Sequence, residues 1–380
     1  MARRHALRGA RRADGAAAVI DAPEGTGSEP RRATESSEPS EAETHDTTEP
    51  AFGAGAPQAS DAEVSTNAVS GPITVPRRER IGETGMEVHP LALGANTFGR
   101  MLGADGSAEV LDRFAALGGS LLDTGDGDAA ARSEEIIGAW MRSRGTRDRV
   151  RLIARIGRRP DHAGLAPEAI VRAVDDALAR LGTDRIDLLC FHGDDAEVPL
   201  EESLGAVDAL VASGKVLAVG ASDLGPERLI EARVLAANGL PRFQALTTRY
   251  NLMERRGFEG ATELVAHAQA LPVLASFALA DGFLGGAVRR RVDVRRDARG
   301  DRQARHLGRR GLRVLRALDE VAAAHGTVPA AVAIAWLLAR PTVVAPVASV
   351  SRPDQVDALL AAASLELHRS EMVELDRASA

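Results

Sequence analysis

The sequence predicts an α/β fold, a (β/α)8 TIM barrel, behind a disordered N-terminal tail. Three observations carry this. From about residue 91 onward, short apolar segments alternate with amphipathic helical ones, and eight strands can be counted. Strict alternation implies parallel strands joined by right-handed crossovers, and eight such units close on themselves. The turn after the first strand, residues 94–100, lacks the glycine-rich loop of a doubly wound sheet, which is the main competitor. Upstream, residues 1–76 are rich in Ala, Gly, Ser, Thr, Glu and Pro without sustained periodicity. Such a segment cannot bury enough apolar surface to offset its ordering entropy. The chain therefore divides into a tail over residues 1–76 and a barrel over 77–380. The run Gly53-Ala54-Gly55 lies inside the tail with no flanking strand or helix, so it is not a nucleotide loop.

Each element has its own reason. Residues 91–95, LALGA, form the first barrel strand, and a helix covers about 108–117. Residues 120–124, SLLDT, run from small and apolar into an acid, as a buried parallel strand does when it ends in an open loop. A helix over 133–142 then starts at Ser133-Glu134-Glu135, where serine caps free N–H groups and the acids suit the positive end. The strand 150–156 precedes a helix over 167–181, whose Ile170, Val174, Ala177 and Leu178 recur at helical spacing. A strand over 186–191 leads to a helix over 200–212, and Lys215 leads into a strand over 216–221. Residues 225–236 are helical, 245–250 extended, 261–270 helical and 272–279 extended. Residues 289–310 are arginine-rich with almost no apolar side chains. They read either as a long loop whose charge favours phosphate or as a solvated disordered one. Helices follow over 312–324 and 329–338, then a strand over 343–348 and a last helix over 353–362.

Composition narrows the function classes. A net charge of -7 does not mark a general nucleic-acid binder. The single cysteine, Cys190, excludes an intrachain disulfide and fits a reducing compartment, so a cytoplasmic location is expected. Cys190 lies inside an apolar strand and reads as core, not as a nucleophile. No apolar run is long enough to span a membrane, and no secretory apolar core follows the basic start MARRHALRGARRADG. The histidines show no metal-ligand spacing, so no metal is expected. Aromatic residues make up only 3%, which counts against stacking platforms for a sugar or cofactor. One lysine, Lys215, stands beside many arginines, a bias under which Arg replaces Lys without functional meaning.

If the barrel holds, the strand ends Asp123, Arg155, His192, Asp223 and Thr247 converge at one face. The stretches LLDTGDGD, SEEIIG, RLIARIG, TDRIDLLCFHGDD, PLEESLGAVDALVASGKVLAVGASD, RYNLMER, ALADGFLGG and ASVSRPDQV follow in order. Together they resemble the aldo/keto reductase family, from Arg77 to the C-terminus. The resemblance implies an opening β-hairpin over RRERIGETGMEV, with a turn at Thr84-Gly85, closing the barrel bottom. It implies an Asp, Tyr, Lys and His tetrad, in which Tyr protonates the substrate carbonyl as hydride arrives from a nicotinamide. Asp123 and His192 match that tetrad, Arg155 stands at the Lys position, and Asp128 stands at or next to the Tyr position.

The resemblance further implies nicotinamide contacts at Ser222, at Asp223 in place of Asn, and at Thr247 in place of Gln. The stacking aromatic falls on Ser276, with Phe277 adjacent. Leu279, Gly282, Leu284, Ser349, Ser351, Arg352 and Gln355 sit in the motifs that hold the phosphate end. NADP(H) is the implied cofactor, with NAD(H) as the alternative, and a small carbonyl compound is the implied substrate. The sequence bears no mark of an oligomeric state. The chemistry of the substitutions matters. Arg keeps the positive charge and can fork onto Asp123, but it cannot act as a lysine-like proton relay. An ionised Asp128 cannot donate a proton and would repel a developing alkoxide. His192 can take over as acid, since an imidazole ordinarily titrates near neutral pH. Two readings stay open: a reductase with an altered proton donor, and a non-catalytic relative that binds a nucleotide or a partner.

Overall fold

A computed structural model describes residues 78–125, 130–160, 163–296 and 298–380. Two antiparallel strands, β1 (Glu79–Arg80) and β2 (Glu87–Val88), form the expected hairpin. Eight parallel strands follow: β3 (Ala92–Gly94), β4 (Leu121–Thr124), β5 (Arg151–Ile156), β6 (Leu188–His192), β7 (Val219–Ser222), β8 (Phe243–Arg249), β9 (Val273–Ser276) and β10 (Val347–Ala348). Their spatial order is β10-β3-β4-β5-β6-β7-β8-β9. The ring is drawn shut beside β9, where the Val273 N–H donates to Thr342 O at 2.8 Å and the Val344 N–H donates to Val273 O at 3.0 Å.

Two apolar layers form because strand side chains alternate. Leu121, Ile153, Leu188, Cys190, Ala245 and Leu274 face the axis and pack on Ile81, Met86 and Val88 of the hairpin. The hairpin is thus the plug of one end. Leu122, Leu152, Leu189, Phe191, Leu246 and Val273 face outward and meet the helices. On the same inward parity, one step further along each strand, stand Asp123, Arg155, His192, Ser222 and Thr247. Register ties them together: Asp123 lies beside Ile153, Arg155 beside Cys190, His192 beside Ser222, and Ser222 beside Thr247.

The helices around the barrel are α1 (Ala104–Ala116), α2 (Ala130–Arg144), α3 (Pro167–Leu181), α4 (Leu200–Ala212), α5 (Pro226–Ala237), α6 (Ala261–Ala268), α7 (Ala298–Ala304), α8 (Arg309–Ala324), α9 (Pro329–Leu338), α10 (Asp354–Ala361) and α11 (Arg369–Ser379). In α3, Ile170, Ala173, Val174, Ala177 and Leu181 are all buried, as the apolar period requires.

Four expectations are corrected. Ser133 does not cap a helix; it is buried inside α2, because the alanines before it are strong helix formers and carry the helix back to Ala130. The arginine-rich 289–310 segment is not one long loop. It holds a 3₁₀ turn over Arg291–Asp293 and the helix α7, before α8 begins at Arg309. Charge pairing stabilises it: Asp293 accepts the N–H groups of Arg289 and Arg290, and Arg302 Nε donates to Asp281 at 2.8 Å. The helix over 353–362 is not the last, since α11 follows and buries Leu375 and Ala378. The strand expected over 272–279 stops at Ser276, where Phe277, Ala280 and Asp281 take positive φ angles of 53°, 47° and 58°.

The glycine of SEEIIG has a packing reason. A Cβ on Gly138 would lie 2.4 Å from Leu181 O and 2.8 Å from Arg180 O, where α2 crosses the end of α3. Those are backbone atoms and cannot swing aside. Alanine would raise helix propensity by about 1 kcal/mol, but overpacking costs about 1–3 kcal/mol. Gly138→Ala is therefore expected to destabilise the fold, lowering the midpoint of chemical denaturation. An unchanged or raised midpoint would show that the two helices can separate without cost.

Candidate active site

Asp123 ends β4 and is only 2% exposed. Arg155, on the neighbouring strand, donates from Nη2 to Asp123 Oδ2 at 2.6 Å. The pair is a single hydrogen bond and not the fork that the sequence allows. Asp123 Oδ1 and Arg155 Nε are both buried and have no hydrogen-bond partner among the described residues. Complete burial pushes the Asp123 carboxyl above its ordinary value, against the charges of Arg155 and His192 and the Arg155 hydrogen bond. His192 is half-buried at the end of β6, and its carbonyl accepts from Arg158 Nε at 2.9 Å.

These three side chains share one cavity of about 1020 Å³ at the open end of the barrel. That is the end at which barrels of this type carry chemistry, and its size suits a large ligand. Arg100, Arg295, Arg299 and Arg302 line the cavity, with Asp281 among them. Arg299 Nε and Gln303 Nε2 both donate to Asp281 O, at 2.8 and 2.9 Å, so the turn after β9 is held to α7. Gly282 has φ of 91°, and a Cβ there would sit 2.5 Å from Arg299 Nη2. Glycine is what lets that arginine lie against the turn. A smaller hollow of about 270 Å³ lies at the hairpin end, lined by Arg80, Glu83 and Arg242, away from the strand ends.

The remaining sequence-chosen residues are placed as follows. Leu279, Gly282 and Ser349 line the cavity, whereas Leu284 is buried in the core. The Ser222 hydroxyl is wholly buried with no partner among the described residues, the Thr247 hydroxyl is buried against the Cys190 thiol, and neither residue lines the cavity. Asp223 has φ of 55°, a left-handed conformation that Asp and Asn both tolerate. Its Oδ1 accepts the Arg249 N–H at 3.3 Å. Gln355 Oε1 accepts the Ser351 N–H at 2.9 Å, and Arg352 forks onto Asp354 at 2.9 and 3.0 Å on the exposed surface. Asp128 lies outside the described residues.

Two features were missed from sequence. The Arg249 guanidinium lies 3.7 Å from the centre of the Phe277 ring and is forked onto Glu254 at 2.8 and 3.0 Å. One face of this ring, which lines the cavity, is therefore occupied. The signal was Arg249 standing directly before Tyr250-Asn251, at the end of a strand. The second is Glu134, 2% exposed, which takes Arg180 Nε at 2.6 Å and Thr124 Oγ1 at 3.2 Å. It ties the end of β4 to α3, which is the work of the glutamate in SEEIIG.

The description "Aldo/keto reductase family" belongs to the family model that matches residues 90–380. Norsolorinic acid reductase stcV of Emericella nidulans is 29% identical over 311 residues, covering 77% of this chain and 78% of the relative. The uncharacterized oxidoreductase YrpG of Bacillus subtilis is 30% identical over 306 residues, covering 76% and 91%. Aldo-keto reductase yakc [NADP(+)] of Schizosaccharomyces pombe is 26% identical over 280 residues, covering 71% and 81%.

Removing Arg155 leaves a buried carboxylate alone, which typically costs about 3–5 kcal/mol. Arg155→Met is expected to lose stability of that order, and Asp123→Asn in the same chain to recover most of it. The Asp123 carboxyl is already raised on folding, and losing Arg155 raises it further. A raised carboxyl means that the native state holds the proton more tightly than the unfolded state, so stability falls as pH rises above the ordinary carboxylate range. Denaturation of Arg155→Met at pH 5 and pH 8 should show the larger loss at pH 8; a loss independent of pH would rule out Asp123 as its source. Burial, with the Asp123 charge, pushes the Cys190 thiol up to about 12. A thiol reagent should leave the native protein unlabelled and titrate one thiol after denaturation; rapid native labelling would contradict the buried strand.

Proposed function

The chain belongs to the aldo/keto reductase family, and from that premise we propose that it reduces an aldehyde or ketone to an alcohol with NADP(H), using an altered proton donor. The observation that carries the reading is the convergence of Asp123, Arg155 and His192 on one arginine-rimmed cavity. The residues present fit the phosphate end of a dinucleotide. Arg295, Arg299 and Arg302 supply positive charge. The yakc relative is named for NADP(+), which supports the same cofactor here.

Bound NADPH supplies the hydride that reaches the carbonyl carbon. The chain's own part concerns the carbonyl oxygen. His192 gives it a proton, or orients it while a water does so. Arg155 stays protonated throughout, so it stabilises negative charge on that oxygen but never relays a proton. Asp123 fixes the Arg155 guanidinium through the 2.6 Å bond. The cavity residue Ser276 presents no ring, and one face of the neighbouring Phe277 ring is taken by Arg249.

A second reading, binding without turnover, draws support from the carboxamide side. There the Ser222 and Thr247 hydroxyls are buried and do not line the cavity, and Asp223 Oδ1 accepts a backbone N–H. The two readings separate in one experiment. NADPH is titrated by cofactor fluorescence, and a panel of aldehydes and quinones is then assayed. Binding with turnover supports the reductase, binding without turnover the second reading, and no binding rejects both cofactor-dependent readings. For the reductase, His192→Gln should lower kcat by about 100- to 10,000-fold while the Kd for NADPH holds. Asp128→Tyr combined with Arg155→Lys should raise turnover; a double variant that binds cofactor yet stays inert would show that these positions are wrongly matched.

A further inference from the structure

Away from the cavity, the fold brings together three groups that no step above uses. His325 ends α8, His368 precedes α11, and Glu371 lies in the first turn of α11. They come from positions 46 residues apart in the chain, and His325 Nε2 stands 3.0 Å from both Glu371 carboxylate oxygens. The two imidazole rings lie 5.9 Å apart, inclined by 31°. Ligand atoms from all three residues fall within 4.8 Å of one another. The His368 backbone N–H donates to Glu371 Oε2 at 2.7 Å, which fixes the carboxylate over the helix start. The His368 side chain in turn accepts the Glu371 backbone N–H, completing a capping box, and is exposed.

We propose that His325, His368 and Glu371 bind one divalent transition-metal ion of the zinc class, which pins α11 to the end of α8. Two imidazoles and one carboxylate are a donor set suited to Zn²⁺, with ligands at about 2.0–2.2 Å. Around a tetrahedral ion such ligands stand about 3.4 Å apart, following from those bond lengths. The cluster must therefore draw in by up to about 1.4 Å, which the exposed His368 side chain supplies by turning from its bond to the Glu371 N–H. His325 and Glu371 are already in contact and half-buried, so most of the site is preformed. The ion takes the place of the proton they share, and water or another ligand fills the fourth position.

What the ion would hold is visible in the packing. The α11 helix lies on α8 through Leu375 and Ala378, and Arg310 and Arg313 of α8 donate to the carbonyls of Ser379 and Ala378. Those contacts secure the far end of α11. The His325–His368–Glu371 cluster is its near end, where without the ion the His325–Glu371 hydrogen bond and the packing of Met372 do the holding. Closing that end joins two segments distant in sequence, where a clip removes most freedom from the unfolded chain.

The test uses the full chain without added histidine tags, stripped with EDTA and dialysed. Zn²⁺ alone is titrated by calorimetry and by thermal unfolding. One ion per chain is expected, with Tm rising by about 5 °C when Zn²⁺ is about 100-fold above Kd. His368→Asn keeps a good helix cap and the backbone bond to Glu371 but removes the ring. It should fold with an unchanged Tm in EDTA and lose the Zn²⁺ response, with affinity down at least about 10-fold. His325→Gln should do likewise. An unaltered Tm in Zn²⁺, equal Zn²⁺ affinity in His368→Asn, or an equal shift with Mg²⁺ would each overturn the proposal.

Discussion

A strand in a closed parallel barrel turns every second side chain toward the axis, and the site depends on which residues fall there. In β4, β5 and β6 the inward residues begin as Leu121, Ile153 and Leu188, packed on the hairpin plug. Two residues on they become Asp123, Arg155 and Cys190, and in β6 two further on His192. The apolar layer fixes the register, and the register fixes the polar layer. A one-residue slip in β5 would put Ala154 inside and send Arg155 among the helices. Asp123 would then be a buried carboxylate with no cation on the neighbouring strand.

That dependence explains why the pair survives a change of partner chemistry. A buried acid needs a cation beside it, and either Lys or Arg meets the need. Arg meets it with one hydrogen bond at 2.6 Å, leaving Arg155 Nε and Asp123 Oδ1 unused. What Arg does not reproduce is a group that can lose a proton. Under the proposed function the position would keep its structural duty and give up an acid–base one. These are separate demands, and the separation is visible only because strand geometry holds the first constant.

The elements legible in the sequence are those built on apolar periodicity. α3, α4 and α9 begin and end where their Ile, Val, Leu and Ala pattern does. Elements built on charge were not legible. α7 has only Ala298 and Ala304 to offer as apolar signal, and it is secured by Arg302 and Arg299 reaching the Asp281 turn. α11 is amphipathic over barely two turns, and its docking rests on arginines of α8 meeting its terminal carbonyls. Of the site, Asp123, Arg155 and His192 were legible because each ends an apolar strand. The Arg249–Phe277 stack was not, since it depends on the positive φ of Phe277, which no residue type announces.

Composition decides how much each substitution means. The chain has one lysine, Lys215, so an arginine at position 155 is what its general usage produces whatever the function. Arg155 is therefore weak testimony about loss of activity. Ser276 is no stronger testimony, because aromatic residues make up only 3% of the chain. Thr247 says more, since no comparable bias favours Thr over an amide. On the proposed function it would weaken the grip on a nicotinamide, not the chemistry at a carbonyl oxygen. His192 is on the other side of that division: it stands at the inward end of β6, facing the same cavity as Asp123. The two proposed readings divide there, for a slow reductase with weakened cofactor positioning has a use for this imidazole, whereas a protein that only binds has none.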